Sequence, residues 1–288
     1  MLSLITWNIQ WGLGVDGQVN LSRIASECAR MGNADILCFQ EIADGFEDLR
    51  GHDGSDQFAE LARLFPEHQM FEGVTIDWPS NRTAPVRRRF GNAIFSRLPV
   101  HEVLRHALPW KHAGGEAMQR GVLEIVVQTA KGPVRVLTTH LEWSSTDLRE
   151  HQVIALRRLY QEACERVFTP HQIGKGPYAT RPQTFDTILT GDFNMRPDDP
   201  LLALLQAPFE CDDVPPLYDA WPMLHGSKQH PPSMCLHDYA KEPTRCLDYV
   251  FLSKSLRSRL VSIDYDHISQ ASDHQPVRLV LDSEPGLI

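Results

Sequence analysis

The chain has 288 residues and a mass of 32.7 kDa, enough to bury a sizeable core as one large domain or two small ones. Its 42% apolar and 23% charged residues are those of an ordinary soluble globular protein, which excludes extensive disorder. A net charge of −9 excludes a polyanion binder held by global charge, while leaving room for a local basic groove.

Leu2–Trp7 reads as an opening strand. Asn20 is a candidate cap for a helix whose apolar face carries Leu21, Ile24, Cys28 and Met31. Asp35–Gln40 (DILCFQ) is nearly all apolar, as a strand buried on both faces requires. A short helix is expected over Asp56–Phe65, then strands near Phe90–Ser96, Gly121–Thr129 and Pro133–Leu141. The longest predicted helix spans Thr146–Phe168, with candidate caps at Ser144 to Thr146 and Asp147 in the first turn.

Phe185–Thr190 is the next strand, and Asp199 followed by Pro200 suits the start of a helix through Gln206. Leu247–Leu252, Leu260–Tyr265 and Pro276–Leu281 close the chain as strands. Gly45–Ser55, Asp77–Arg89 and Ala207–Arg245 read as irregular; the last is long enough to pack over a surface as a binding rim. Strands and helices alternate without the regularity of a βαβ barrel, so two packed sheets flanked by helices fit best.

None of the six cysteines forms a CxxC pair, and several lie in apolar periodic segments, as reduced core thiols do. Cys235, His237 and Cys246 match no common zinc spacing. Met1 runs straight into LSLITWN with no basic stretch before it, and no apolar run approaches a membrane span. The expected setting is the cytoplasm, without membrane insertion or an obligate protein partner.

Costly polar residues interrupt the pattern at the expected strand ends: Asn8, Gln40 and Glu41, His140, Asp192 and Asn194, Asp248, and Asp273 with His274. Each alone has a bland explanation as a turn residue, a cap or a hydrogen-bonded core histidine. Together they converge, because strand ends in an open α/β sheet meet at a crevice. Four carboxylates there, Glu41, Asp192, Asp248 and Asp273, call for a cation among them. Oxygen donors of this kind favour Mg²⁺ or Mn²⁺ over zinc. If strand geometry continues past Thr190, Asp192 and Asn194 share a face.

The blocks WN (Trp7, Asn8), QE (Gln40, Glu41), GNAIFSR (Gly91–Arg97), TTHLE (Thr138–Glu142), GDFN (Gly191–Asn194), LDYVF (Leu247–Phe251) and SDH (Ser272–His274) resemble the endonuclease/exonuclease/phosphatase superfamily. They occur in the family's order over nearly the whole chain. The resemblance implies one domain over residues 1–288, a four-layer α-β-β-α sandwich, with the site at one end of two mixed sheets.

It also implies metal-site roles for Asn8, Glu41 and Asp273. Asp192 matches the acid that orients or deprotonates the attacking water, and Asn194 the amide that holds phosphate or water. His274 matches the histidine on the scissile phosphate, oriented by Asp248, and His140 a second histidine near the leaving group. The expected activity is divalent-metal-dependent phosphoester hydrolysis by in-line attack of water, as a phosphodiesterase or nuclease (endonuclease or exonuclease). The alternatives are a phosphatase or phosphodiesterase for a small metabolite or lipid headgroup, and a non-catalytic phosphate-binding module.

TTHLE looks most like the deoxyribonuclease, sphingomyelinase, deadenylase and tyrosyl-DNA phosphodiesterase side of the family, which favours nucleic acid over lipid. Arg82, Arg87, Arg88 and Arg89 form a basic run, read either as a charged loop or as a phosphate clamp, with Arg89 nearest GNAIFSR. Trp11 and Trp143, each three residues past a site residue, are candidates for an aromatic rim on which bases stack.

Overall fold

Alternate residues of the first strand face two different cores, and this organises the rest. In the computed structural model, which describes residues 1–80, 87–111, 116–169, 174–237 and 243–282, strand β1 (Leu2–Asn8) sends Leu2 and Leu4 one way and Ile5 and Trp7 the other. Helix α1 (Leu21–Arg30), capped by Asn20 through its side chain, covers the Ile5 side with Leu21, Ile24 and Cys28. Strand β2 (Ile36–Asp44) repeats the alternation: Leu37 and Phe39 face the helices, while Ile36 and Cys38 face the opposite sheet.

After α2 (Gln57–Leu64) come β3 (Gln69–Pro79), β4 (Arg87–Ser96), β5 (Val100–Ala107), β6 (Gly121–Thr129) and β7 (Gly132–His140). Helix α3 (Thr146–Phe168) is capped by Ser145 and crosses to β8 (Thr187–Asp192). Then follow α4 (Pro200–Gln206), capped by Asp199, β9 (Leu217–Asp219), α5 (Ala220–His225), β10 (Asp248–Ser253), β11 (Leu260–Tyr265) and β12 (Val277–Leu281).

The first sheet runs β11-β12-β1-β2-β4-β3 and the second β5-β6-β7-β8-β10-β9. Each has one parallel pair at its centre, β1 with β2 and β7 with β8; the strands on either side are antiparallel. The largest core lies between the sheets and extends under α3 and α4, so the layers are helix, sheet, sheet, helix, the expected sandwich.

Two expectations need correction. Asp77–Arg89 is not irregular at its ends: Asp77–Pro79 belong to β3 and Arg87–Arg89 to β4, paired in register. Arg82 lies outside the described residues. Ala207–Arg245 contains β9 and α5, and Met234 bridges to both Arg245 and His274. Strands β3 and β5 were not expected; β3 is an edge strand whose residues are mostly half-exposed, and β5 (VHEVLRHA) is a polar edge strand, so neither carries an apolar run.

Candidate active site

The two parallel pairs end at the same place. In the first, Asn8 lies opposite Gln40; in the second, His140 lies opposite Asp192, and Asp192 also pairs with Asp248 on β10. The segment leading into β12 brings Asp273 and His274 to the same end, with the indole Nε1 of Trp7 donating to the His274 carbonyl at 2.9 Å.

Three backbone irregularities aim the side chains. The sequence places Glu41 after a strand, yet β2 continues to Asp44; Glu41 occupies a bulge between Phe39 and Ile42, with φ of 61°. A bulge breaks the two-residue alternation, so consecutive Gln40 and Glu41 serve different purposes. The Gln40 amide is fully buried and donates to the hydroxyls of Thr6 (3.3 Å) and Thr138 (2.9 Å), tying one sheet to the other.

Gly191 has φ of 135°, and a Cβ there would lie 1.9 Å from the Thr139 carbonyl oxygen, so only glycine lets β8 approach β7 just before Asp192. Asn194 has φ of 52°, which ends the alternation assumed for Asp192 and Asn194. Its amide instead donates to the Leu141 carbonyl at 3.0 Å, and its backbone N–H holds Asp192 Oδ1 at 2.9 Å.

Asn8 Nδ2 donates to Glu41 Oε1 (3.0 Å) and to Asp192 Oδ2 (3.1 Å), while its Oδ1 accepts from the Gln10 N–H. As placed, Asn8 holds two carboxylates rather than offering an oxygen to an ion. Gln10 Nε2 reaches Asp273 Oδ2 at 2.8 Å, which links Asp273 to the same network. Burial, then Asp273, pushes the Glu41 carboxyl up to about 7, and burial also raises Asp273. Two acids that resist ionising side by side, with oxygen donors only, fit a hard divalent cation.

Asp192, Asp248 and His274 place ligating atoms within 4.8 Å of one another. Their hydrogen bonds favour an ion-pair relay over a metal site. His274 Nδ1 bonds Asp248 Oδ2 at 2.8 Å, and the Ser233 hydroxyl donates to that same oxygen at 2.6 Å. Burial opposes charge on His274, but Asp248 and Asp192 outweigh it and hold its pKa well above the ordinary value. Its Nε2 stands 3.7 Å from Asp192 Oδ2, too far for a hydrogen bond.

His140 is the opposite case: burial, Arg120 and His274 hold its pKa well below normal, so it is a neutral imidazole. Its nitrogens lie 3.5 Å from Asp192 Oδ2 and 3.8 Å from Glu41 Oε1. Burial raises Asp192 to about 6, close to neutral pH, where a general base works best.

All eight polar residues expected at the site, Asn8, Glu41, His140, Asp192, Asn194, Asp248, Asp273 and His274, therefore meet at one end of the sandwich. The outer candidates divide. Trp143 is 54% exposed beside that end, whereas Trp11 is half-buried, packs on the Phe46 cluster and donates to the Arg50 carbonyl. Arg89 lies outside the cluster: Asp44, Asp56 and Glu72 all bind its guanidinium, leaving little of its charge for a phosphate. Arg87 and Arg88 are likewise paired, with Asp77 and Asp48. Cys235, His237 and Cys246 form no ligating group among the described residues.

Sequence reading missed Gln10, Ser233 and Arg120. Ser233 sits in the Pro-rich stretch and carries no motif. Arg120 had a faint signal, a lone cation immediately before the apolar run of β6.

Solved structures share this architecture. An endonuclease/exonuclease/phosphatase from Beutenbergia cavernae is 22% identical over 97% of this chain and 71% of its own, with a TM-score of 0.66. D. rerio TDP2 complexed with single-strand DNA product is 19% identical over 98% of this chain and 99% of its own, with a TM-score of 0.60. The mannosyl-6-phosphatase Bt3783 of Bacteroides thetaiotaomicron is 14% identical over 98% and 100%, with a TM-score of 0.61. No curated protein matches the sequence. Residues 5–274 match the Endonuclease/Exonuclease/phosphatase family of divalent-metal-dependent phosphoester hydrolases, and the chain belongs to that family.

Proposed function

We propose that this protein is a Mg²⁺- or Mn²⁺-dependent phosphodiesterase acting on nucleic acid by in-line attack of water. The observation that carries the reading is the pairing of opposites around Asp192. An oriented carboxylate near its pKa faces a charged, buried His274, and a neutral His140 lies alongside.

Asp192 is fixed by donors on both oxygens, from Asn8 and Asn194, so it can align a water and take its proton. His274, locked to Asp248, donates its Nε2 proton to the phosphoryl oxygens as charge builds there. Asn194 and His140 line the reacting centre, His140 toward the leaving oxygen. Glu41 and Asp273 would hold the cation, with Asn8 orienting Glu41, and a bound divalent ion would supply charge neutralisation during phosphoester hydrolysis.

Exposed Trp143 offers a surface on which a base stacks, and a similar fold occurs in a protein crystallised with single-strand DNA product. A similarly folded sugar phosphatase makes phosphomonoesters the second reading. Hydrolysis of bis-p-nitrophenyl phosphate with Mn²⁺, followed by single-stranded DNA, duplex DNA, RNA, sphingomyelin, inositol phosphates and sugar phosphates, tests both. Turnover of a polynucleotide above the other substrates is expected. A preference for a monoester favours the second reading, and no turnover with either metal would sink both.

A further inference from the structure

The six tryptophans divide by what their rings do. Trp7, Trp11 and Trp221 each donate the indole N–H to a main-chain carbonyl, and Trp78 lies beside Phe46 with 6.4 Å between ring centroids. Trp110 and Trp143 are 47% and 54% exposed, and among the described residues neither ring has an aromatic neighbour or a hydrogen-bond acceptor. Their backbones, by contrast, are pinned. Gln152, fully buried on α3, accepts from the Glu142 N–H at 2.8 Å and donates to the Pro109 carbonyl at 3.2 Å, so one side chain ties both tryptophan-bearing loops together. Arg149 Nη1 donates to the carbonyls of Glu142 (2.8 Å) and Trp143 (3.2 Å), and Lys111 pairs with Asp147 at 3.0 Å. Exposed indoles on a pinned backbone lose little further freedom when a flat ring stacks on them.

The register of the second sheet places both loops at the reacting end. Ala107 pairs with Gly121, Val122 with Thr139, His140 with Asp192, and Asp192 with Asp248, so these strand ends form one row. Trp143 follows His140 by three residues, and Trp110 follows Ala107 by three. Strands in a sheet lie roughly 4.8 Å apart, so the strand leading to Trp143 is about 5 Å from that of Asp192 and the strand leading to Trp110 about 15 Å. A polynucleotide running along the row can lay successive bases on the two indoles only if those bases are unpaired. In a duplex each base face is already covered by its neighbours.

We propose that Trp143 and, beyond it, Trp110 form an aromatic track for a single strand that leads away from the scissile phosphate on the His140 side. The proposal rests on the phosphodiesterase reading and narrows its substrate class to single-stranded polynucleotide. It makes Trp110 a second specificity-determining residue and places the preference in the bases rather than in the phosphates.

Binding is read on the Asp192→Asn protein loaded with Mn²⁺, which should hold substrate without cleaving it. Competition against a fluorescein-labelled thymidine octamer, at one fixed salt concentration, gives Kd for four unlabelled probes. These are the thymidine dinucleotide, the octamer, an octamer of abasic residues with the same phosphates, and a hairpin duplex. The octamer should bind about 10- to 100-fold more tightly than the abasic octamer or the duplex, as base–indole stacking predicts. Adding Trp110→Leu should weaken the octamer about tenfold and leave the dinucleotide within about two-fold. Adding Trp143→Leu should weaken both. Trp110→Phe and Trp143→Phe should restore most of the affinity, which separates loss of stacking from loss of fold.

Equal affinity for the octamer and its abasic counterpart, or no measurable binding of any oligomer, overturns the track. A base preference that survives both leucine substitutions overturns the role of the two tryptophans. Hydrolysis is read separately on the wild type with Mn²⁺: cleavage of neither bis-p-nitrophenyl phosphate nor the octamer counts against the phosphodiesterase reading instead, whatever the affinities.

Discussion

The two parallel pairs, β1 with β2 and β7 with β8, are the same device used twice. Each is a central pair joined by a helix, α1 in one sheet and α3 in the other, and each ends at the site. They differ in the backbone at their ends. In the first, a bulge turns Glu41 toward Asn8 and the Asp273 side, and the result is a pair of carboxylates suited to a cation. In the second, Gly191 and Asn194 bend the chain around Asp192, and the result is an oriented carboxylate between two histidines of opposite charge state. One supersecondary unit thus supplies two kinds of chemistry, and the choice is made by one or two residues of unusual φ.

The largest effect is expected from breaking the second pair at its base. Asp192→Asn should lower kcat by about 10²- to 10⁴-fold, the worth of a positioned general base, with an unchanged circular dichroism spectrum. Breaking the same pair through its backbone should cost stability. Gly191→Ala strains φ and drives a Cβ into the Thr139 carbonyl, so denaturant unfolding should show a loss of about 2–5 kcal/mol.

The first pair is sharpened by pH. Glu41 titrates near 7 in the folded, cation-free protein against 4.5 ordinarily, so its protonated form is the favoured one. Its contribution to stability is present below pH 4.5 and is lost as pH rises through 7. Without divalent ions, the wild-type Tm should fall relative to Glu41→Gln between pH 5 and 8. Mg²⁺ should raise the wild-type Tm more at pH 8 than at pH 5.5, because ion binding displaces the proton. The smallest effect belongs to the rim: Trp143→Ala should raise KM for a single-stranded oligonucleotide about tenfold with kcat little changed, as loss of one stacking contact predicts.

Much of this comparison was legible in the sequence, and the reasons are specific. Thr146–Phe168 is bounded by a serine cap and charged on one face; Asp199-Pro200 starts a helix by its own chemistry; Asn20 caps α1 through its side chain. The eight polar site residues stood out because each interrupts an apolar run. What was hidden depends on contacts between distant segments. Glu41 looked like the end of a strand because a bulge leaves no mark in composition. Ser233 reaches Asp248 only because its irregular segment is wedged against Arg245 and Gln275. The fate of Arg89 was set by three acids from three other segments. Edge strands β3 and β5 were missed because half-exposed strands carry polar residues.

The division of labour between the two pairs is tested most directly by Mn²⁺ binding, read by electron paramagnetic resonance on wild type, Glu41→Gln and Asp192→Asn. Both variants should lose hydrolysis. Glu41→Gln should also weaken Mn²⁺ binding by about tenfold or more, whereas Asp192→Asn should keep Kd within a few-fold of wild type. Mn²⁺ affinity lost equally in both, or kept in Glu41→Gln and lost in Asp192→Asn, would contradict the account.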